Sequence, residues 1–276
     1  MKPLFILPFD HRNGITHELF GVAYPPNAII GKKLVALRSI IFDGFLQAYS
    51  TMQKEGDCGV LVDDEFGGAV IAKAKKLGIT TIVSTEKSGG STLQFVHGAG
   101  FGRALIAHDP TFAKVLVNYT VGDTDLNEEK MKKLRALSDF CIEDGIPLML
   151  EPLLHGKPSP LKRATIAIRD MHNHGIRPAI WKLEPMPTQK DWKSLAKIAK
   201  VPMILLGRGA SMKVVDEWVV TAAKSGVVDG FAIGRTIFFD PVKKYTEKLI
   251  TRAQAVDAIA KHYTHYVKLW KKHAAR

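Results

Sequence analysis

Eight times along 276 residues, a short run rich in Val, Ile, Leu and Phe alternates with a longer segment of helical apolar spacing. Parallel strands need long crossover connections, usually helices, so this alternation predicts a parallel sheet with helices packed outside it. The strand-like runs fall near residues 3–9, 58–62, 80–84, 113–118, 147–151, 179–183, 203–206 and 230–233. Helical spacing occupies 32–54, 68–77, 127–144, 161–172, 188–199 and 213–224. Gly56, Gly78, Gly145 and Gly226 follow helical segments, where a left-handed cap is wanted. Eight units with no linker predict an α/β fold, a (β/α)8 TIM barrel, with residues 1–276 forming one domain. A doubly wound open sheet is the rival, but it usually shows fewer units and a glycine-rich first turn. Two stretches break the spacing. Residues 12–30, with Gly21, Pro25 and Pro26, read as a long loop of the kind that covers an active site. The segment HGAGFGRA reads as a flexible loop, because its glycines do not match a dinucleotide fingerprint.

Composition narrows the function classes. Apolar residues make up 46% of the chain, enough for a sizeable core, yet no apolar run approaches the length of a membrane span. The apolar stretch in MKPLFILPFDHR is too short for a signal peptide, and Cys58 and Cys141 lie in apolar segments. A reducing cytoplasm is the expected location, with both thiols buried. The formal charge of +12 comes from Lys and Arg scattered among acids, without a dense basic block, so an anionic small molecule is expected as partner rather than nucleic acid. In the basic C-terminal segment, Tyr263, Tyr266 and Trp270 share one helical face, expected to pack on the body of the protein or on a second copy in a homo-oligomer.

In a barrel of this kind, chemistry sits at the C-terminal strand ends. Those ends carry Asp10, His11 and Arg12, then Asp63, Asp64 and Glu65, then Glu86 and Lys87, with Lys114 inside the fourth strand and Glu151 closing the fifth. Strand six holds Lys182 between Trp181 and Leu183. Side chains alternate along a strand, so if Trp181 and Leu183 face the helices, Lys182 faces the interior. The same test turns Lys114, Asn118 and Glu151 inward. Strands four to six are neighbours, so Lys114, Glu151 and Lys182 should converge. Two lysines and one glutamate would leave a positive charge unpaired, which makes a purely structural ion-pair network costly. A lysine beside a second cation has its pKa depressed and supplies the neutral amine that attacks a ketone. Glu151 could then move a proton on and off a hydroxyl. Strands seven and eight run into Gly207-Arg208-Gly209 and Gly234-Arg235, where exposed amides and arginines suit phosphate. His11 and His155 are placed near strand ends for substrate contact. No HExxH motif or strand-end histidine cluster is present, so neither a metal nor another cofactor is expected. Asp63, Asp64 and Glu65 suit a helix N-terminus as well as they suit Mg²⁺.

Seven ordered motifs, PFDHR, LVDDEFG, EKSGG, KVLVNY, WKLE, LGRG and GRTIFFDP, resemble the aldolase-like domain fused to 5-dehydro-2-deoxygluconokinase in bacterial inositol catabolism. More distantly, the chain is similar to the class I tagatose-1,6-bisphosphate aldolases. The resemblance implies a metal-independent aldolase with Lys182 as Schiff-base lysine, Glu151, Lys114 and Asp10 as its catalytic neighbours, and Arg235 at the phosphate. It further implies that Arg12, Glu86 and Lys87 contact substrate. The implied reaction cleaves 2-deoxy-5-keto-gluconate 6-phosphate to dihydroxyacetone phosphate and malonate semialdehyde. Asn118 replaces an arginine of the family pattern, and EPLLH stands where that pattern has ELLVP. Both departures bear on which substrate is taken. An aldolase or transaldolase acting on another ketose phosphate, and a catalytically silent sugar-phosphate-binding barrel, are the competing readings.

Overall fold

In a computed structural model describing residues 2–90 and 92–274, eight parallel strands close into a barrel in sequence order. They are β1 (Leu4–Pro8), β2 (Asp57–Val62), β3 (Thr80–Ser84), β4 (Phe112–Thr120), β5 (Leu148–His155), β6 (Ile180–Leu183), β7 (Met203–Leu206) and β8 (Gly230–Ala232). Around them lie α1 (Asn13–Phe20), α2 (Ala28–Met52), α3 (Asp64–Lys76), α4 (Phe101–His108) and α5 (Thr124–Glu143). The remaining helices are α6 (Pro160–Asn173), α7 (Gln189–Ala199), α8 (Met212–Ser225), α9 (Arg235–Thr246) and α10 (Arg252–His273). Among the described residues, no helix is long and apolar enough to cross a membrane.

Alternation sorts the strand side chains as expected. Trp181 and Leu183 join the core between barrel and helices, as do Val115, Val117, Leu148 and Leu150. Inward-facing Leu4, Ile6, Leu61, Ile82, Met149, Ile180, Ile204 and Ala232 form a separate buried cluster that fills the barrel interior. The charged inward residues Lys114, Glu151 and Lys182 lie one pleat further toward the C-terminal strand ends. Thus the barrel is apolar at its floor and ionic at its mouth.

Several expectations change. The stretch 12–30 is not one loop: it contains α1, and Asn27 caps α2 by accepting from Ile30 N at 3.0 Å. HGAGFGRA forms a 3-10 turn at Gly98–Gly100 followed by α4, not a flexible loop. Gly102 lets α4 lie against Phe140, because a Cβ there would come within 2.4 Å of that ring. Gly78, Gly145 and Gly226 do have positive φ, but Gly56 does not; it gives room for the Pro3 carbonyl, 2.5 Å from where a Cβ would stand. Tyr263, Tyr266 and Trp270 are buried on the body of the protein rather than presented to a second copy. They pack around Phe5 and Phe231, and Tyr263 Oη donates to the Phe5 carbonyl at 2.8 Å.

Candidate active site

Lys114 has the most crowded charge environment at the mouth. Its ammonium, 2% exposed, lies 2.9 Å from Asp10 Oδ2, 2.6 Å from Glu86 Oε1 and 3.1 Å from Glu151 Oε2. Lys182 Nζ donates to that same Glu151 oxygen at 2.8 Å. Arg12, also buried, donates to the Glu86 carbonyl. Three carboxylates therefore surround the two lysines, with Arg12 alongside and 4.0 Å from Glu65, and the expected surplus of positive charge at Lys114, Glu151 and Lys182 is absent. Asp10 and Glu86, brought in by β1 and the end of β3, correct that inventory.

The pKa shifts follow from this packing. Burial disfavours a charged Lys114, but Asp10, Glu86 and Glu151 outweigh it and raise its pKa well above the ordinary lysine value. Burial likewise opposes ionisation of Asp10, yet Lys114, His11 and Lys182 hold its pKa well below the usual carboxylate range. Glu151 is lowered too, with Lys182 and then Lys114 overcoming its burial. Glu86 moves the other way, raised by burial and by Asp10 despite Lys114. The His11 side chain keeps 31% of its exposure, but desolvation by its surroundings, reinforced by Arg235, Lys182 and Arg38 against Asp10, lowers it to about 3, leaving a neutral imidazole.

Above this cluster opens a cavity of about 270 Å³. Asp10, His11, Arg12, Glu86, Lys87, Lys114, Asn118, Glu151, Lys182 and Arg235 line it, all of them legible as candidates in the sequence. The β3–α4 segment forms one rim: Lys87 N donates to Gln94 O at 2.7 Å, and Ser88 Oγ accepts from Asn13 N at 3.1 Å. Arg38 of α2 fixes the adjoining corner after β1 and β2, pairing with Asp63 at 2.8 Å and donating to the His11 carbonyl at 2.6 Å. Asp63 caps α3 through Phe66 N at 2.8 Å, so its carboxylate serves the helix N-terminus and Arg38. Among the described residues, no three His, Cys, Asp or Glu side chains are placed to hold a metal. Several buried polar atoms at the mouth have no hydrogen-bond partner among the described residues: Arg12 Nε and Nη1, His11 Nδ1, Glu86 Oε2 and Arg235 Nε.

Four expected substrate contacts take other positions. Arg208, with φ of +49°, turns its guanidinium away to Glu184, and its carbonyl accepts from Arg235 Nη2 at 3.0 Å. Gly209 packs beneath the Arg235 guanidinium, 2.8 Å from where a Cβ would sit, and Gly207 lies against Ile233. At Gly234 a Cβ would meet the Pro8 carbonyl at 2.1 Å, so this glycine joins β8 to β1 closely rather than lining the cavity. The loop after β7 thus positions Arg235 and leaves the cavity wall to it.

Lys130 of α5 lines the cavity and was missed. Its ammonium donates to the Asn118 carbonyl at 2.7 Å, and burial lowers its pKa although Asp123 and Glu129 oppose the shift. A signal existed. Lys130 falls in the buried stripe Asn127, Met131, Leu134, Leu137 and Cys141, between Leu126 and Leu134 at four-residue spacing. A lysine in that column is buried, not solvated.

Solved structures share the architecture. Fructose-bisphosphate aldolase from Plasmodium falciparum superposes with a TM-score of 0.72 at 12% identity, over 98% of this chain and 91% of that one. Cgl0159 from Corynebacterium glutamicum gives 0.63 at 17% identity, over 95% and 86%. An archaeal fructose-1,6-bisphosphate aldolase, with its catalytic lysine covalently bound to the carbinolamine intermediate of the substrate, gives 0.59 at 14% identity, over 98% and 94%. At these identities the likeness is one of fold, and the fold is aldolase-like. A search of curated protein sequences returns no match. A family model does match, over residues 1–274: the chain belongs to the DUF2090 family, described as an uncharacterized protein conserved in bacteria.

Proposed function

We propose that this chain is a class I, metal-independent carbon–carbon lyase in which Lys182 forms a Schiff base with a phosphorylated ketose or keto acid. The observation that carries the reading is the sharing of Glu151 Oε2 by two buried ammonium groups, Lys182 and Lys114. Lys114, held by three carboxylates, keeps its proton. Lys182 has one carboxylate partner, and Glu151 is in place to accept the proton it must lose before attack.

The substrate best matched to the motifs is 2-deoxy-5-keto-gluconate 6-phosphate. Neutral Lys182 Nζ adds to the C5 ketone, and the carbinolamine loses water to give an iminium. A base of the cluster, assigned to Glu151, removes the proton of the C3 hydroxyl. The C3–C4 bonding pair moves into a C4–C5 double bond as the iminium nitrogen accepts electrons. Malonate semialdehyde leaves. Protonation of the enamine at C4 and hydrolysis of the resulting iminium release dihydroxyacetone phosphate and restore Lys182. Lys114 stabilises the developing alkoxide, and Arg235 with the first turn of α9 receives the phosphate. The iminium supplies the electron sink, so the mechanism calls for no metal ion.

The test is to incubate the protein with dihydroxyacetone phosphate, reduce with borohydride, and locate the added mass by peptide mapping. A single adduct on Lys182, absent from Lys182→Met, is expected. Reduction that leaves Lys182 unmodified at saturating ligand would overturn the assignment.

A further inference from the structure

Every other cation at the cavity wall has an account. Lys114 and Lys182 pair with Asp10, Glu86 and Glu151, Arg12 lies 4.0 Å from Glu65, and Arg235 is held by the Arg208 carbonyl and a 3.4 Å contact to Glu18. Lys87 is exposed at the rim. Lys130 is different. It is 2% exposed, donates to one backbone carbonyl, and forms no ion pair among the described residues. Its neighbours on α5 behave conventionally: Lys132 pairs with Glu128 at 4.0 Å and Lys133 with Glu129 at 2.8 Å, both in solvent. Burying an ammonium without a carboxylate costs several kcal/mol, so the position calls for an anion supplied from outside the chain.

Position in the ring says which anion. In an eight-strand barrel closed in sequence order, β4 lies diametrically opposite β8, with β6 midway between them. Arg235 follows β8, Lys182 is on β6, and Lys130 meets the end of β4 through the Asn118 carbonyl. The Asn118 side chain completes the wall. With its Oδ1 accepting from His155 Nε2 at 3.0 Å, its amide hydrogens remain to donate. One ammonium and one amide match the charge of a carboxylate; a second phosphate, nearer two negative charges, would be left underbalanced.

We propose that Lys130, with the Asn118 amide, binds a carboxylate at the far end of the substrate from its phosphate. Lys130 is then a specificity-determining residue that restricts the site to linear phosphorylated carboxylic acids. The inference rests on the aldolase reading for the placing of the ketone over Lys182, and it deepens that reading by assigning the carboxylate end.

Three ketone-free ligands of equal carbon number test it by calorimetry: 6-phosphogluconate, glucitol 6-phosphate and glucitol 1,6-bisphosphate. The wild type should bind 6-phosphogluconate most tightly. Lys130→Met should weaken that ligand about tenfold or more and leave glucitol 6-phosphate unchanged, and Lys130→Arg should restore discrimination. Equal wild-type affinities for 6-phosphogluconate and glucitol 6-phosphate overturn the proposal without any variant. Equal weakening of both in Lys130→Met does so as well, by showing a merely structural role. Preference for the bisphosphate overturns the carboxylate assignment. Because no probe carries a ketone, none can form an adduct with Lys182. Failed borohydride trapping with intact carboxylate discrimination would sink the aldolase reading alone, and the converse result would sink this inference alone.

Discussion

Asp10 sits where burial and charge pull in opposite directions, and charge wins. A carboxyl whose pKa is depressed on folding adds stability that is complete above its unfolded pKa, near ~4, and is lost as pH falls through the folded value. Asp10 and Glu151 both act in this sense, while Glu86, raised on folding, acts against it. Lys114 contributes at the other extreme: its raised pKa adds stability below the unfolded lysine value, and alkaline pH removes it. Replacement Asp10→Asn should therefore lower the urea midpoint at neutral pH, and the gap from wild type should narrow as pH falls from about 6 to about 3. A gap that stays constant with pH would count against the depressed Asp10. Among residues, those fixed by strand alternation were legible, because Trp181 and Leu183 leave Lys182 only one face. The pairings of side chains that loops deliver were not. Nothing in GRGAS shows that Arg208 turns to Glu184 while its carbonyl holds Arg235, and nothing local in EKSGG shows Glu86 reaching Lys114.

At the scale of elements, the long helices and the buried strands could be read from periodicity, with ends shifted by a few residues. β5 ran past its expected end at 151 to His155, because strong pairing with β4 extends to Thr120. Three helices escaped: α9, 12 residues long with Pro241 inside it, and α1 and α4, each 8 residues long. Two turns give too few apolar repeats to show a face, and glycines beside each obscure the start or stop. Packing between long helices hides a similar dependence on one small residue. Gly44 is where α2 meets α10: a Cβ would stand 2.6 Å from Ile259 Cγ2 and 3.0 Å from the Val256 carbonyl. Neither backbone can yield without separating the two helices. Gly44→Val should lower stability by about 1–3 kcal/mol, seen as a drop of several degrees in Tm, with borohydride trapping at Lys182 intact at low temperature. An unchanged Tm would mean the helices have room that the geometry denies.

Across the whole molecule, the +12 formal charge surrounds a mouth whose lysines are already paired with carboxylates, so under the proposed function the surplus acts mainly as a long-range field on the phosphorylated substrate. Trapping of dihydroxyacetone phosphate at subsaturating concentration should slow as ionic strength rises from about 0.01 to about 0.3 M, as screening shortens the range of that field. Trapping of uncharged dihydroxyacetone should not slow; equal slowing of both would point to a direct salt effect on the chemistry. The apolar cluster filling the barrel floor has its own consequence for traffic. With Leu4, Ile6, Leu61, Ile82, Met149, Ile180, Ile204 and Ala232 closing the interior, the site opens at the C-terminal strand ends and not through the barrel floor. Under the proposed chemistry the fragment tethered to Lys182 cannot move until its partner has gone. Departure through that opening is therefore a queue, with the untethered aldehyde first and the phosphorylated fragment last.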